Sequence, residues 1–208
     1  MLLSGFSQND PNAKAILDKV SAKNKTYKTI RVNFTINTTT SQSDSKSVQK
    51  GSLLLKGDKY QIALPNNETS FDGKDVYNYL PEVKEVNITK PQSKAKKSDD
   101  FFISNPKDIF RIYEKDFKYK FIKETTIEGK GIYEIDLYPI DLQKKYSRIR
   151  LQIDKNSNQI SSIKTFLKDG QHYLITFTKF VTNQEIPDSA FTFDKTKHPD
   201  VEIIDLRF

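Results

Sequence analysis

The residue types that usually carry chemistry are few and scattered in this chain. The two histidines, His172 and His198, stand in different segments, with no carboxylate or serine beside either at the spacing a nucleophile and its base require. They read as isolated surface histidines. There is no cysteine, which excludes disulfides, zinc-thiolate sites and thiol catalysis. Neither a Gly-rich phosphate loop, a metal-ligand cluster nor a nucleophile elbow occurs, and Asp72, Asp136 and Asp205 are accounted for by turns and strand ends. No catalytic residue, metal or cofactor is therefore expected, and the chain does not read as an enzyme. The formal charge of +7 comes from scattered lysines, which suit solvated strand faces and guarded sheet edges, with a weak attraction to anionic membranes as the second reading. Nucleic acid is not an expected partner, because the aromatics alternate with polar residues as in a half-buried sheet and the lysines form no dense stripe.

What is concentrated is aromatic bulk. Only 36% of the residues are apolar, with 14 Phe and 10 Tyr among them, so the core must be built from large rings on sheets. The stretch 69–89, TSFDGKDVYNYLPEVKEVNIT, organises the rest. Asp72-Gly73 is a turn dipeptide, since Gly accepts positive φ freely and Asp bonds its own backbone, so strands are expected on both sides. In the second of them Tyr77 and Tyr79 share one face and Val76, Asn78 and Leu80 the other, until Pro81 removes a donor from the ladder.

Elsewhere the periods are plain. Asp10-Pro11 is a cap-then-proline helix start, followed by Ala13, Ile16, Leu17 and Val20 on one helical face. Between residues 27 and 38 the period becomes two, with Ile30, Val32, Phe34 and Ile36 pointing one way. The polar, Ser-rich run 39–51 reads as a connection, and two strands meet at a tight turn containing Gly57. Residues 90–100, with Lys94, Lys96 and Lys97, read as a flexible basic loop. A second, short apolar helix is expected over residues 106–113, after Ser104-Asn105. From Phe117 onward alternating runs separated by Gly, Asn and Asp turn signals predict strands, including short ones at residues 191–193 and 201–206.

About eleven short strands joined mostly by tight loops call for a mainly β (α+β) fold, a single curled antiparallel sheet forming an incomplete β-barrel with helices covering its concave side. Residues 10–208 are expected to form one domain. Residues 1–9 are read as the remnant of a secretion signal or as an added tail, disordered in either case. The covering helices either fill the concavity as an ordinary core or act as a lid above a cavity for a hydrophobic ligand.

Several of these residues resemble a known family. Asp72-Gly73-Lys74, Tyr77, Tyr79-Leu80-Pro81 and Glu85-Val86 are similar to the aspartate-glycine-lysine turn, aromatic strand and following proline of LolA, the periplasmic lipoprotein carriers of Gram-negative bacteria. The N-terminal helix leading to Phe34, the helix carrying Phe110, Phe191-Thr192-Phe193 and the ending VEIIDLR add to the resemblance, which spans residues 10–207. It implies a half-open barrel whose cavity holds the acyl chains of lipoproteins on their way from the inner to the outer membrane. The implied partners are acylated lipoproteins, an inner-membrane lipoprotein-releasing ABC transporter and an outer-membrane acceptor, protein or lipid, with the carrier a monomer that needs no cofactor of its own. Candidates for the cavity lining are Phe34, Ile36, Leu55, Tyr60, Ile62, Tyr77, Tyr79, Phe110, Leu151 and Phe177. One departure stands out: where the family has an arginine that helps hold the lid, this chain has Gly57, so another contact must serve as latch. The alternative function is a non-enzymatic β-sheet module that binds another small hydrophobic ligand or a protein.

Overall fold

A computed structural model describes residues 10–40, 43–91, 106–114 and 116–207. Helix α1 spans Pro11–Asn24 and leads to β1 (Thr29–Thr40), β2 (Ser43–Lys56), β3 (Lys59–Leu64), β4 (Asn67–Phe71), β5 (Val76–Leu80) and β6 (Glu85–Thr89). A 3-10 helix, Pro106–Glu114, precedes β7 (Phe117–Ile127), β8 (Lys130–Pro139), β9 (Tyr146–Asp154), β10 (Gln159–Leu167) and β11 (Gln171–Thr182). Two 3-10 turns, Asp188–Phe191 and Lys195–Lys197, lead to β12 (Glu202–Asp205).

The twelve strands make one open sheet in the order β12-β6-β5-β4-β3-β2-β1-β11-β10-β9-β8-β7. It is two meanders, β1 to β6 and β7 to β11, joined where β1 lies beside β11. The expected single sheet is therefore observed, with one strand more than the estimate. One edge departs from the antiparallel rule, because β12 pairs parallel to β6 with Ile203 opposite Val86.

Three local expectations are corrected. Most of the polar run 39–51 is strand rather than connection. Thr39, Thr40 and Val48 favour extended backbone, and ladder bonds to the neighbouring strand satisfy the backbone of the polar remainder without any apolar period to announce it. The helix at residues 106–113 is of the 3-10 type. Residues 191–193 are not a strand: Pro187 starts a turn in which Ala190 N–H donates to the Pro187 carbonyl, 3.0 Å. The proposed N-terminal tail and the loop lysines Lys94, Lys96 and Lys97 lie outside the described residues.

The chain falls into two compact units. The first comprises Met1–Thr26, Thr38–Lys46 and Arg111–Ile175. In it α1 packs on β7 and β10, burying Ala13, Leu17 and Val20. Asp10 caps the helix as expected, accepting from the Asn12 and Ala13 N–H groups, and its other oxygen accepts from Phe121 N–H in β7 at 3.0 Å. One carboxylate thus starts the helix and ties it to an edge strand, which no local sequence pattern announces.

Register gives this unit two unlike faces. On one, Ile135, Leu151 and Ile163 lie opposite one another across β8, β9 and β10, all buried. The other face is an ionic array. Asp136 accepts from Arg148 Nη1 at 2.8 Å and from Arg150 Nε and Nη2 at 2.7 and 2.9 Å, while Glu134 accepts from Gln152 Nε2 at 3.0 Å. Asp136 is therefore the hub of a mid-strand network and not a strand-end or turn residue. Its partners sit on the next strand, so only the β8–β9 register reveals them.

The second unit comprises Tyr27–Asn37, Ser47–Phe110 and Thr176–Phe208. The Asp72-Gly73 turn forms as expected: Asp72 Oδ1 accepts from the Lys74 and Asp75 N–H groups, both 2.8 Å, and Gly73 takes φ 101°. Tyr77 O–H closes the motif by donating to Asp72 Oδ2 at 3.0 Å. Gly51 has a different role. A Cβ there would lie 2.5 Å from the Phe34 ring tip and 2.7 Å from the Ala63 carbonyl oxygen. Gly51→Ala is accordingly expected to cost about 1–3 kcal/mol, as overpacking does. Urea unfolding of the variant checks it, and an unchanged midpoint would mean that the Phe34 ring moves aside freely.

Candidate functional site

Strand register in the second unit decides which side chains share a surface. Leu55, Tyr60, Phe71 and Val76 lie opposite one another across β2 to β5, as do Leu53, Ile62, Thr69 and Asn78. These two rows are on one face, because side chains two apart along a strand point the same way. Phe34 joins them, since its ring fills the space a side chain at Gly51 would take and Gly51 alternates with Leu53 and Leu55. Ile36, two residues further along β1, follows.

The second unit also contains an open pocket of about 590 Å³, and it lies mostly over the opposite surface. Its walls include Thr178 of β11 and Asn33, Thr35, Lys50, Ser52 and Ala63, and these last five alternate with the apolar residues just named. Of the ten residues expected to line a cavity, only Phe34 borders it. On β11, Phe177 lies two residues after Ile175, the buried residue of that strand, and so on its covered side. Phe110, from the 3-10 helix, sits against Phe177 and Phe180 with ring centroids 5.2 and 5.3 Å apart. Phe110 is thus the side chain by which the short helix packs on β11. The middle of the apolar face is closed, with Phe34, Leu53 and Ile62, like Ile109 and Phe110 of the helix, at most 2% exposed, whereas Ile36, Tyr60, Phe71 and Val76 are half-buried.

Five of the expected residues, Phe34, Ile36, Leu55, Tyr60 and Ile62, therefore share one face, and two more, Phe110 and Phe177, pack on each other. Three others are elsewhere. Tyr77 and Tyr79 project from the opposite surface with Leu54 and Gln61, because the register pairs Tyr77 with Ser70 and Tyr79 with Glu68. Leu151 is buried in the first unit, opposite Ile135 and Ile163. Sequence reasoning missed Leu53, Phe71 and Phe180. Alternation with Leu55 could have found Leu53, whereas Phe180 is out of phase with Phe177 and carried no signal.

The C-terminal segment occupies part of the opposite surface. Leu54 packs with Ile186 and Phe191, and Tyr79 lies 5.4 Å from the Phe193 ring and 4.8 Å from that of His198. His198 is therefore a stacking partner, and His172 lies 4.9 Å from the Phe166 ring; neither is an isolated surface histidine. Among the described residues no group of His, Asp or Glu could hold a metal ion, and no helix is long and apolar enough to cross a membrane.

A family model described as outer membrane lipoprotein carrier protein LolA matches residues 25–194. The chain belongs to the LolA family. No curated protein matches it. Solved structures similar to this LolA-family chain include an uncharacterized conserved protein from Thermus thermophilus, with TM-score 0.61 and 11% identity over 93% of this chain and 99% of that one. The lipoprotein LppX of Mycobacterium tuberculosis has TM-score 0.52 and 12% identity over 86% of this chain and 100% of its own. A LolA superfamily protein from Nitrosomonas europaea has TM-score 0.43 and 15% identity, covering 87% and 97%. At such identities the likeness to the first two is one of fold.

Membership of the LolA family gives the β2–β3 turn particular interest, because the arginine the resemblance led one to expect there is absent. Gly57 takes φ 57° at the turn, and the lysines on either side reach a common acceptor. Lys56 and Lys59 Nζ donate to Asp188 at 2.8 and 2.7 Å, and Lys56 Nζ also donates to the Ile186 carbonyl at 2.7 Å. These hydrogen bonds, Lys56 first and then Lys59, hold the Asp188 carboxyl at about 2, well below the usual range. The turn is thereby fastened to the C-terminal segment. The short helix has its own anchor: in the first unit Glu114 accepts from Ser21 Oγ of α1 at 3.1 Å and from Arg111 Nη2 at 2.8 Å.

Proposed function

We propose that this chain is a periplasmic carrier that shields the acyl chains of lipoproteins on their way from the inner to the outer membrane, with no catalytic step of its own. The observation that supports this reading is an apolar sheet face in a chain of the LolA family, together with a short 3-10 helix that buries Ile109 and Phe110 and packs Phe110 on the rings of Phe177 and Phe180. The physical need is clear. Each CH₂ held out of water is worth roughly 0.8 kcal/mol, so a multi-chain lipid anchor cannot cross an aqueous compartment bare. A carrier must also let go, which favours a cover held by few contacts over one welded into a core. On this reading Phe34, Ile36, Leu55, Tyr60, Ile62 and Phe177 contact the chains once Phe110 moves aside. An inner-membrane lipoprotein-releasing ABC transporter supplies the cargo, an outer-membrane acceptor takes it, and the carrier works as a monomer forming a single domain.

The test is native mass spectrometry with lipid extraction on protein purified from cells that co-express a triacylated lipoprotein. A one-to-one complex that disappears when the cargo's acylated cysteine is replaced is the expected result. Failure to form it, together with no binding of a fluorescent fatty-acyl probe, would overturn the reading and make the apolar face an ordinary filled core.

A further inference from the structure

The most exposed aliphatic pair among the described residues is on the β8–β9 loop, far in sequence from the face just described. Ile140 is 60% and Leu142 76% exposed. A loose loop would fold such side chains back, but this one is fixed from several sides. Ile140 N–H donates to the Asp116 carbonyl at 2.9 Å, Gln143 N–H to Asp141 Oδ1 at 2.9 Å, and Lys168 Nζ to the Leu142 carbonyl at 2.6 Å. Lys168 N–H also donates to the Lys145 carbonyl at 2.9 Å. The tip therefore presents two aliphatic side chains outward from a bonded frame, beside Lys144, Lys145 and Lys168. Asp116, Asp141 and Asp169 balance those three cations locally, and Asp141 and Asp169 also cap backbone N–H groups.

The charge excess lies next to the tip, on the ionic face of the same unit. Register places Lys118, Lys120 and Lys123 of β7, Arg148 and Arg150 of β9 and Lys164 of β10 on that face, against Glu134 and Asp136. It runs up to the tip: Lys118 pairs with Tyr138, and Arg148 with Phe166, over whose ring its guanidinium carbon sits at 3.9 Å.

We infer that the β8–β9 tip is a membrane-docking element that seats Ile140 and Leu142 in the interface of an anionic bilayer while the adjoining cationic face meets the lipid headgroups. A protein-docking surface is usually broader and centred on buried aromatic anchors, whereas two aliphatics framed by long lysines suit a lipid interface, where the stems lie along apolar surface and the ammonium groups reach phosphate. Each lysine near such a surface adds to the attraction, which weakens as salt rises. The inference is independent of acyl-chain carriage, because it uses no residue of the covered apolar face.

Co-sedimentation with phosphatidylcholine vesicles, with and without phosphatidylglycerol, tests it on the full chain. The expected result is binding to the anionic vesicles only, loosened by salt, and about tenfold weaker or more for Ile140→Ser with Leu142→Ser. Both side chains are exposed, so the variant keeps its fold, and its binding of a fluorescent fatty-acyl probe should equal that of the unaltered protein. Because the chain lacks cysteine, Leu142→Cys accepts a single environment-sensitive dye, whose emission should shift to the blue on the same vesicles. Equal sedimentation of the double variant, or no binding to anionic vesicles, overturns the proposal. Binding confined to native membranes and lost after protease treatment also overturns it, in favour of a protein partner.

Discussion

Phe110→Ala should lower stability by about 3–5 kcal/mol, the usual cost of emptying a buried phenylalanine site, and yet tighten binding of a fluorescent fatty-acyl probe. The side chain is 2% exposed and touches two further rings, so its removal leaves a void. On the carrier reading the same ring competes with cargo, because it covers the apolar side of Phe177. Apparent affinity for a ligand equals the intrinsic affinity scaled by the fraction of molecules already open, so deleting the internal competitor raises that fraction. Phe110→Leu should fall between the two in both measurements. Urea unfolding gives the first quantity and probe titration the second. If probe binding instead falls in step with stability, Phe110 is plain core and the cover is not a lid.

Asp136→Ala is the second change with a large expected effect. Asp136 is 1% exposed and pairs with two guanidinium groups, and the substitution leaves Arg148 without this carboxylate and Arg150 with only the longer contact to Glu134 Oε2 at 3.5 Å. Losing one partner of a buried ion pair typically costs 3–5 kcal/mol, and a value of about 3 kcal/mol is expected because Arg148 and Arg150 are 33% and 25% exposed. Thermal melting should register a drop of about 6–12 °C, given the size of the chain. The pH dependence has a definite sign. Burial pushes the Asp136 carboxyl up, but Arg150 first and then Arg148 outweigh it and hold the group below the usual carboxylate range. Its contribution is therefore complete above the ordinary carboxylate range and is lost as pH falls towards the lowered native value. The unaltered protein should lose stability over that interval more steeply than Asp136→Ala, and parallel curves would mean that the pair contributes nothing.

Local chemistry made much of the fold legible. The Asp72-Gly73 turn, the Asp10 cap and the alternation of Ile149, Leu151 and Ile153 each depend on neighbours within a few residues, and each is found in the structure. What depends on distant pairing was not legible. A strand's period says that Tyr77 and Tyr79 share a face, but only the register with β4 says that it is not the face of Leu55 and Tyr60. Asp136 looked like a strand end because its arginine partners arrive from the next strand. The arms of β1 and β2 carry polar residues on both sides, so no period marked them. Of the covered face, rings in phase were readable, while Phe180 enters out of phase beside Phe110 and could be seen only in three dimensions.

The placement of β1 beside β11 bears on how the molecule comes into being. Each meander pairs strands that follow one another along the chain, so each can zip by closing short loops, which takes little entropy and little time. The seam between them is different. Lys28 N–H donates to Asn183 Oδ1 and Thr29 Oγ1 to the Gln184 carbonyl, each across 155 residues of chain. The nascent protein therefore cannot complete its sheet until nearly its last strand has emerged, and until then β1, with Ile30, Val32 and Phe34, has an uncovered edge. A chain made this way stays unfinished through most of its synthesis.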